Sequence, residues 1–194
     1  MEDIGGIILA GGKSSRMGQD KGLMSIDNKA MVEHIIKEFN LAGVNELNII
    51  SNNPDYDKFS HPVYEDIIKE KGPLGGIYTG LHHTTKTWNI IVPCDTPKIK
   101  AKYFDLLIKE KAKSPIQVLK SRDKTHFLIG IIHHSVKNLI KEQIENGELR
   151  VETWIKNLGG RIINLEEHID FEESDFVNLN TINEYNKINH HEKV

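Results

Sequence analysis

The stretch Leu9-Ala10-Gly11-Gly12-Lys13-Ser14-Ser15-Arg16-Met17-Gly18-Gln19-Asp20-Lys21 concentrates residue types that bind phosphate. Its three glycines let the backbone turn tightly and present N–H groups inward. Lys13, Arg16 and Lys21 add positive charge. Together they suit a phosphate-binding nest. A lone Gly-Gly would read as a solvated loop, but here three cations follow directly on a buried apolar run. The loop fits neither common nucleotide fingerprint. Gly12-Lys13-Ser14 lacks the upstream glycine of a P-loop, because that position is Ile7. The dinucleotide pattern G-x-G-x-x-G is absent too. These mismatches argue against an ordinary P-loop NTPase and a nicotinamide dehydrogenase.

Other reactive residues carry less. Cys94 is the single cysteine, which excludes an internal disulfide framework and a cysteine-based zinc site. No histidine or other base stands near it in sequence, so it reads as buried structure. The pairs His82-His83, His133-His134 and His190-His191 are adjacent, so their side chains diverge on a helix or strand. They read as structural or surface residues.

Hydrophobic periodicity predicts the elements that must hold the loop. A buried strand covers 4–10, with Ile7, Ile8 and Leu9 unbroken. Further strands fall at 47–51, 62–64, 88–92, 116–119 and 127–132, with a polar turn at 121–124. Late strands are predicted at 162–165 and 176–179. Helices are predicted at 31–41, 74–83, 101–111, 135–145 and 151–158. A last helix covers 181–189, with Thr181 as N-cap and Glu184 three residues on. This alternation predicts an α/β chain: a single-domain, three-layer, mostly parallel twisted sheet with helices on both faces. Such sheets bind ligands outside the C-terminal ends of their strands. The residues just after each strand are therefore the candidates.

The loop resembles the L-x-A-G-G-x-x-x-R-M-G-x-D-K signature of the MobA-type nucleotidyltransferases. Gln19-Asp20-Lys21-Gly22 narrows the likeness towards the guanylyltransferases of that family. Glu65-Asp66 with Gly72-Pro73-Leu74-Gly75-Gly76 resembles its E-D…G-P-L-x-G segment. Pro93-Cys94-Asp95-Thr96-Pro97 resembles P-C-D-x-P, Gly147-Glu148-Leu149-Arg150 a later G-x-x-R, and Val177-Asn178-Leu179-Asn180-Thr181 the V-N-x-N-T ending. These segments run in the family's order from residue 4 to residue 181. Thr125-His126-Phe127-Leu128 departs from the family's His-Pro-x pattern, on the acceptor side.

The resemblance implies a Rossmann-like nucleotidyltransferase fold over 1–194. Its nucleotide half would cover roughly 1–100 and its acceptor half roughly 101–194. It implies a Mg²⁺-dependent enzyme that transfers GMP from GTP to the terminal phosphate of molybdopterin or its molybdenum-loaded form, releasing pyrophosphate. The implied catalytic residues are Arg16, Lys21 and Asp95. GTP would meet Leu9, Ala10, Gly11, Gly12, Lys21, Asp66 and Asp95. Asp95, after a strand, can hold Mg²⁺ against a triphosphate, with Pro93 and Pro97 stiffening its backbone. Asp66 reads either as a nucleotide contact or as a turn residue. Gly72, Gly75 and Gly76 admit either the base and ribose or close helix packing. Arg150, Asn178 and Asn180 are the acceptor candidates. Arg150 fits a surface ion pair equally well. Asn178 and Asn180 would share one face of a strand, and a plain turn is their alternative reading. The side chain of 51–53 that reaches the base stays open.

Composition bounds the rest. The chain has 194 residues, 38% hydrophobic, with a formal charge of −3. That charge does not favour nucleic acid as a partner. No apolar run approaches the length of a membrane span. The acidic start, Met1-Glu2-Asp3, reads unlike a signal peptide. The expectation is a cytoplasmic protein. The resemblance also brings in client molybdoenzymes and other cofactor-biosynthesis proteins as partners, although no motif assigns their surface. Two rival functions remain at this point. One is a cytidylyl- or other nucleotidyltransferase acting on a pterin, polyol or sugar phosphate. The other is a non-catalytic nucleotide- and pterin-binding delivery protein.

Overall fold

Ile7, Ile8 and Leu9 have no polar neighbour to turn towards water, and their strand lies inside the sheet. The computed structural model describes residues 3–11, 20–179 and 184. Strand β1 (Ile4–Leu9) is followed by a small separate hairpin of β2 (Ser25–Ile26) and β3 (Lys29–Ala30). Then come β4 (Glu46–Ile50), β5 (Val63–Tyr64), β6 (Trp88–Pro93), β7 (Ile116–Ser121), β8 (Lys124–His133) and β9 (Arg161–Asn164). The main sheet has seven strands in the order β5-β4-β1-β6-β8-β7-β9. Only β8 runs against the others.

The exception has a local cause. Strands β7 and β8 are joined by just Arg122 and Asp123, with Arg122 at φ 45°. So short a link can only reverse the chain. Both strands run further into the expected 121–124 turn than the apolar residues alone suggest.

Helices cover both faces, and alternation along β1 decides which residue meets which. Ile8 packs with Ile35 and Phe39 of α1 (Met31–Leu41) and with Tyr103 and Phe104 of α3 (Ala101–Glu110). Ile7 and Leu9 point the other way. They meet Leu74 and Ile77 of α2 (Gly72–His83), in a core shared with Ile140 of α4 (Lys137–Glu145) and Trp154 of α5 (Val151–Asn157). Phe39 and Phe104 stack at 4.5 Å, locking α1 to α3.

One expected strand is absent. Residues 176–179 do not join the sheet. A short 3-10 turn, Glu173–Phe176, leads into chain without ladder pairing. Phe176 and Leu179 are the buried pair and Asn178 is exposed. Burial three residues apart is incompatible with the alternation of a strand. Asn178 therefore does not sit on a strand face as expected. The predicted helix at 181–189 lies outside the described residues, apart from Glu184, which is helical.

Candidate active site

Strands β5, β4, β1 and β6 are neighbours and parallel, so their C-terminal ends share one edge. Backbone bonds carry that order past the strands. The Ala10 N–H donates to Ile50 C=O at 2.9 Å, Ser51 N–H to Tyr64 C=O at 3.0 Å, and Cys94 N–H to Leu9 C=O at 3.0 Å. The Ser51 hydroxyl donates to Ala10 C=O at 3.3 Å. Ala10-Gly11, 51–53, Asp66 and Asp95 are thereby laid along one edge from four separate strand ends.

A cavity of about 570 Å³ opens at this edge. Leu9, Ile50 and Pro73 give it apolar walls, and Asn52 and Asp66 give it polar ones. Apolar walls beside a few fixed polar groups suit a small organic ligand such as a nucleobase. Asn52 holds Asp66 twice. Its Nδ2 donates to Asp66 Oδ2 at 3.2 Å, and its Oδ1 accepts from the Asp66 N–H at 3.1 Å. Burial pushes the Asp66 carboxyl up, and the Asn52 amide opposes this. Of the glycines with two readings, Gly72 and Gly76 line the cavity. Gly72 also adopts φ +59°, which favours glycine. Gly75 instead packs against Ile68 and Lys71, where an added Cβ would lie 3.0 Å from Ile68 C=O.

Asp95 stands beyond β6, mostly buried. Its Oδ2 is 4.0 Å from Lys21 Nζ. Its buried Oδ1 has no hydrogen-bond partner among the described residues. Burial raises the carboxyl above its ordinary value; Lys21, and less strongly Lys124, pull it back. An orphaned buried carboxylate oxygen calls for a cation. Mg²⁺ commonly takes one or two carboxylates and fills its shell with water and substrate phosphate. A single open carboxylate at this edge fits that ion. No group of three or more His, Cys, Asp or Glu that could hold a metal occurs among the described residues.

Lys21 is delivered by a short 3-10 turn, Lys21–Leu23, capped by Asp20. Asp20 Oδ1 accepts from the Gly22 N–H at 3.2 Å and from the Tyr56 hydroxyl at 2.6 Å. Asp20 Oδ2 accepts from Asn53 Nδ2 at 3.3 Å. Neither Tyr56 nor Lys124 carried a signal in the sequence. Asp20 belongs to the quoted signature, without an assigned role. Asn52 and Asn53, ambiguous in sequence, now separate: Asn52 lines the cavity and Asn53 holds Asp20.

Leu9, Ala10, Gly11, Lys21, Asp66 and Asp95 all come to this edge. Gly12, Lys13, Arg16 and Asn180 lie outside the described residues. Asn178 is exposed beside Leu179, whose N–H donates to Asp95 C=O at 2.8 Å. Arg150 is exposed just before α5 and shares none of these contacts among the described residues. Cys94 is buried, and burial pushes its thiol up to about 12. It is therefore protonated at neutral pH. His126, from the segment that departs from the family pattern, is buried between Ser121 and Phe176. His83 stacks on Tyr64 at 3.8 Å.

The pattern of the MobA-like NTP transferase domain matches residues 6–161 of this chain. The chain belongs to the MobA-like NTP transferase family. A probable molybdenum cofactor guanylyltransferase of Flavobacterium johnsoniae is 36% identical over 190 residues, covering 97% of this chain and 98% of that protein. A molybdenum cofactor guanylyltransferase of Haemophilus influenzae is 30% identical over 195 residues, covering 95% and 96%. Among solved structures, molybdopterin-guanine dinucleotide biosynthesis protein A from Archaeoglobus fulgidus superposes with a TM-score of 0.78. It is 19% identical and covers 97% of this chain and 99% of its own, a likeness of fold. The likeness of fold thus covers 97% of the chain, and the strand-end edge described above is the one that carries Asp95, Lys21 and Asp66.

Proposed function

We propose that this chain transfers GMP from GTP to the terminal phosphate of molybdopterin, or of its molybdenum-loaded form. Pyrophosphate is the other product. The observation that carries the reading is the buried Asp95 carboxylate, with one oxygen lacking a donor among the described residues and the other facing Lys21 at 4.0 Å. This pair ends the same strand edge that holds the cavity between Leu9 and Pro73. The full-length relatives named for guanylyl transfer support the choice of GTP and pterin.

The cavity between Leu9 and Pro73 receives the base, and Asp66 faces its polar edge. Gly11 and Gly12 are assigned to the triphosphate. Lys21 neutralises the charge that develops on the phosphates, and Arg16 guards the pyrophosphate side. Asp95 would hold Mg²⁺, which would supply further charge neutralisation. An acceptor phosphate oxygen bonds to the α-phosphorus, and the bond from that phosphorus to the bridging oxygen breaks. The departing pyrophosphate keeps the electron pair. A phosphate monoester is already anionic near neutral pH, so no general base is needed. Catalysis then consists of positioning and charge stabilisation. Asn178, Asn180 and Arg150 are assigned to the acceptor.

No helix among the described residues is long and apolar enough to cross a membrane, and we place the reaction in the cytoplasm. Thermal-shift titration with GTP, CTP, UTP and ATP, with and without Mg²⁺, tests the donor. Selective binding raises apparent stability by mass action. The reading predicts stabilisation by GTP, enhanced by Mg²⁺. Preference for CTP overturns the guanylyl assignment, and no response to any nucleotide, with or without molybdopterin, counts against nucleotidyl transfer.

A further inference from the structure

Tyr56 is fully buried, yet it comes from a surface turn, Pro54–Phe59, that carries no residue of the assigned chemistry. Its hydroxyl donates to Asp20 Oδ1 at 2.6 Å, a short charge-assisted bond. Asn53, just before that turn, donates to the other carboxylate oxygen at 3.3 Å. The Gly22 N–H adds a third donor. Lys21 therefore lies between two anchored residues. The wedge reaches further: a Cβ on Gly22 would stand 2.2 Å from the Tyr56 hydroxyl oxygen and 3.0 Å from Cys94 Cβ. Cys94 adjoins Asp95. The turn carrying Lys21 and the segment carrying Asp95 thus meet at the Tyr56 hydroxyl.

We infer that Tyr56 is a positioning residue, acting through Asp20 to fix the backbone from which Lys21 reaches Asp95. The ring fills space, which any large apolar side chain does. The hydroxyl adds direction, because it orients one carboxylate oxygen and so one turn of backbone. Burial and the Asp20 charge hold the phenol well above its ordinary range, so it remains a donor across the working pH. Lysine has a long flexible stem, and a misplacement of about 1 Å in such a group can cost on the order of 10²-fold in rate. The described hydrogen-bond donors to the Asp20 carboxylate include Tyr56, Asn53 and Gly22, all of which fix the turn.

The inference rests on the guanylyl-transfer reading, and a double-mutant cycle tests it. Wild type, Y56F, K21A and Y56F/K21A are compared for GMP transfer and for GTP affinity by calorimetry. Y56F is expected to lower kcat about tenfold or more, with acceptor KM unchanged. Adding Y56F to K21A should cost little beyond K21A alone, because the group being positioned is gone. A purely structural Tyr56 would give losses that multiply, and that result overturns the inference, as does a wild-type kcat in Y56F. D20A cuts the same link from the half-buried side and should reproduce the Y56F loss if Y56F folds poorly; a wild-type D20A overturns the inference. A wild-type protein that transfers no GMP defeats the functional reading instead. The same four affinities for GTP then decide the coupling: non-additive losses support it and additive losses overturn it.

Discussion

The backbone N–H of Leu179 donates to the carbonyl of Asp95 at 2.8 Å. A late segment of the chain is thereby fastened to the residue assigned to the metal. The fastening is distributed. Asp175 accepts the Tyr103 hydroxyl at 2.6 Å, and Phe176 packs on Tyr103 and His126 at 4.6 and 4.5 Å. Asn178, exposed between Phe176 and Leu179, is therefore held close to the strand-end edge at Asp95 without belonging to the sheet.

Loosening that strap should weaken acceptor binding before it weakens GTP binding. Tyr103→Phe leaves Asp175 with Lys102 at 4.0 Å as its remaining charged partner. The expected cost is about 1–3 kcal/mol in urea denaturation. Acceptor KM should rise more than GTP KM. Equal rises would detach the strap from the acceptor site.

Asp95→Asn removes a charge while keeping the shape. The transfer rate should fall about 10²–10³-fold, as for loss of one electrostatic clamp. Mg²⁺ should no longer enhance GTP binding. Burial disfavours the charged carboxylate, so the melting temperature measured without Mg²⁺ should hold or rise. Rate measurements at saturating GTP and a melting curve check both halves.

Asn52→Ala frees Asp66 from its two restraints. Fold and maximal rate should persist, while the ratio of kcat/KM for GTP over ATP falls by roughly tenfold, the loss of about 1.4 kcal/mol of discrimination. An unchanged ratio would remove Asn52 from base selection.

His126 makes stability depend on pH. Burial lowers its pKa to about 4, against an ordinary 6.5. The unfolded chain then binds a proton that the folded chain refuses. The neutral histidine's contribution is intact above pH 6.5, declines as pH falls, and levels off below pH 4. The shift corresponds to about 3 kcal/mol. His126→Gln should flatten the fall in melting temperature between pH 6.5 and 4, relative to wild type. Parallel curves for the two proteins would contradict this.

Much of this was legible because the informative residues are contiguous. Ile7 to Leu9 announce a strand buried on both faces, and Val32, Ile35 and Phe39 announce a helix by their spacing alone. The phosphate loop and the Pro93–Pro97 frame sit directly after strands, where ligands bind in such sheets. Tyr56 and Asp20 are 36 residues apart. Only packing of the 54–59 turn beneath the Lys21 turn brings them together, so spacing could not show it. Asn52 and Asn53 look alike in sequence, and the direction of one backbone bend separates them. Phe176 to Leu179 misled for a different reason. Three apolar residues, Phe176, Val177 and Leu179, suggest a strand, but side-chain anchors from Phe176 to Tyr103 and His126 stand in place of a backbone ladder.

The most direct test follows the phosphorus. The protein is incubated with GTP labelled at the α-phosphate, molybdopterin and Mg²⁺, beside Asp95→Asn and a parallel reaction with labelled CTP. Label should pass from GTP to the pterin, with one pyrophosphate released per transfer, and Asp95→Asn should transfer little. Transfer from CTP in preference to GTP, or undiminished transfer by Asp95→Asn, would contradict the assignment.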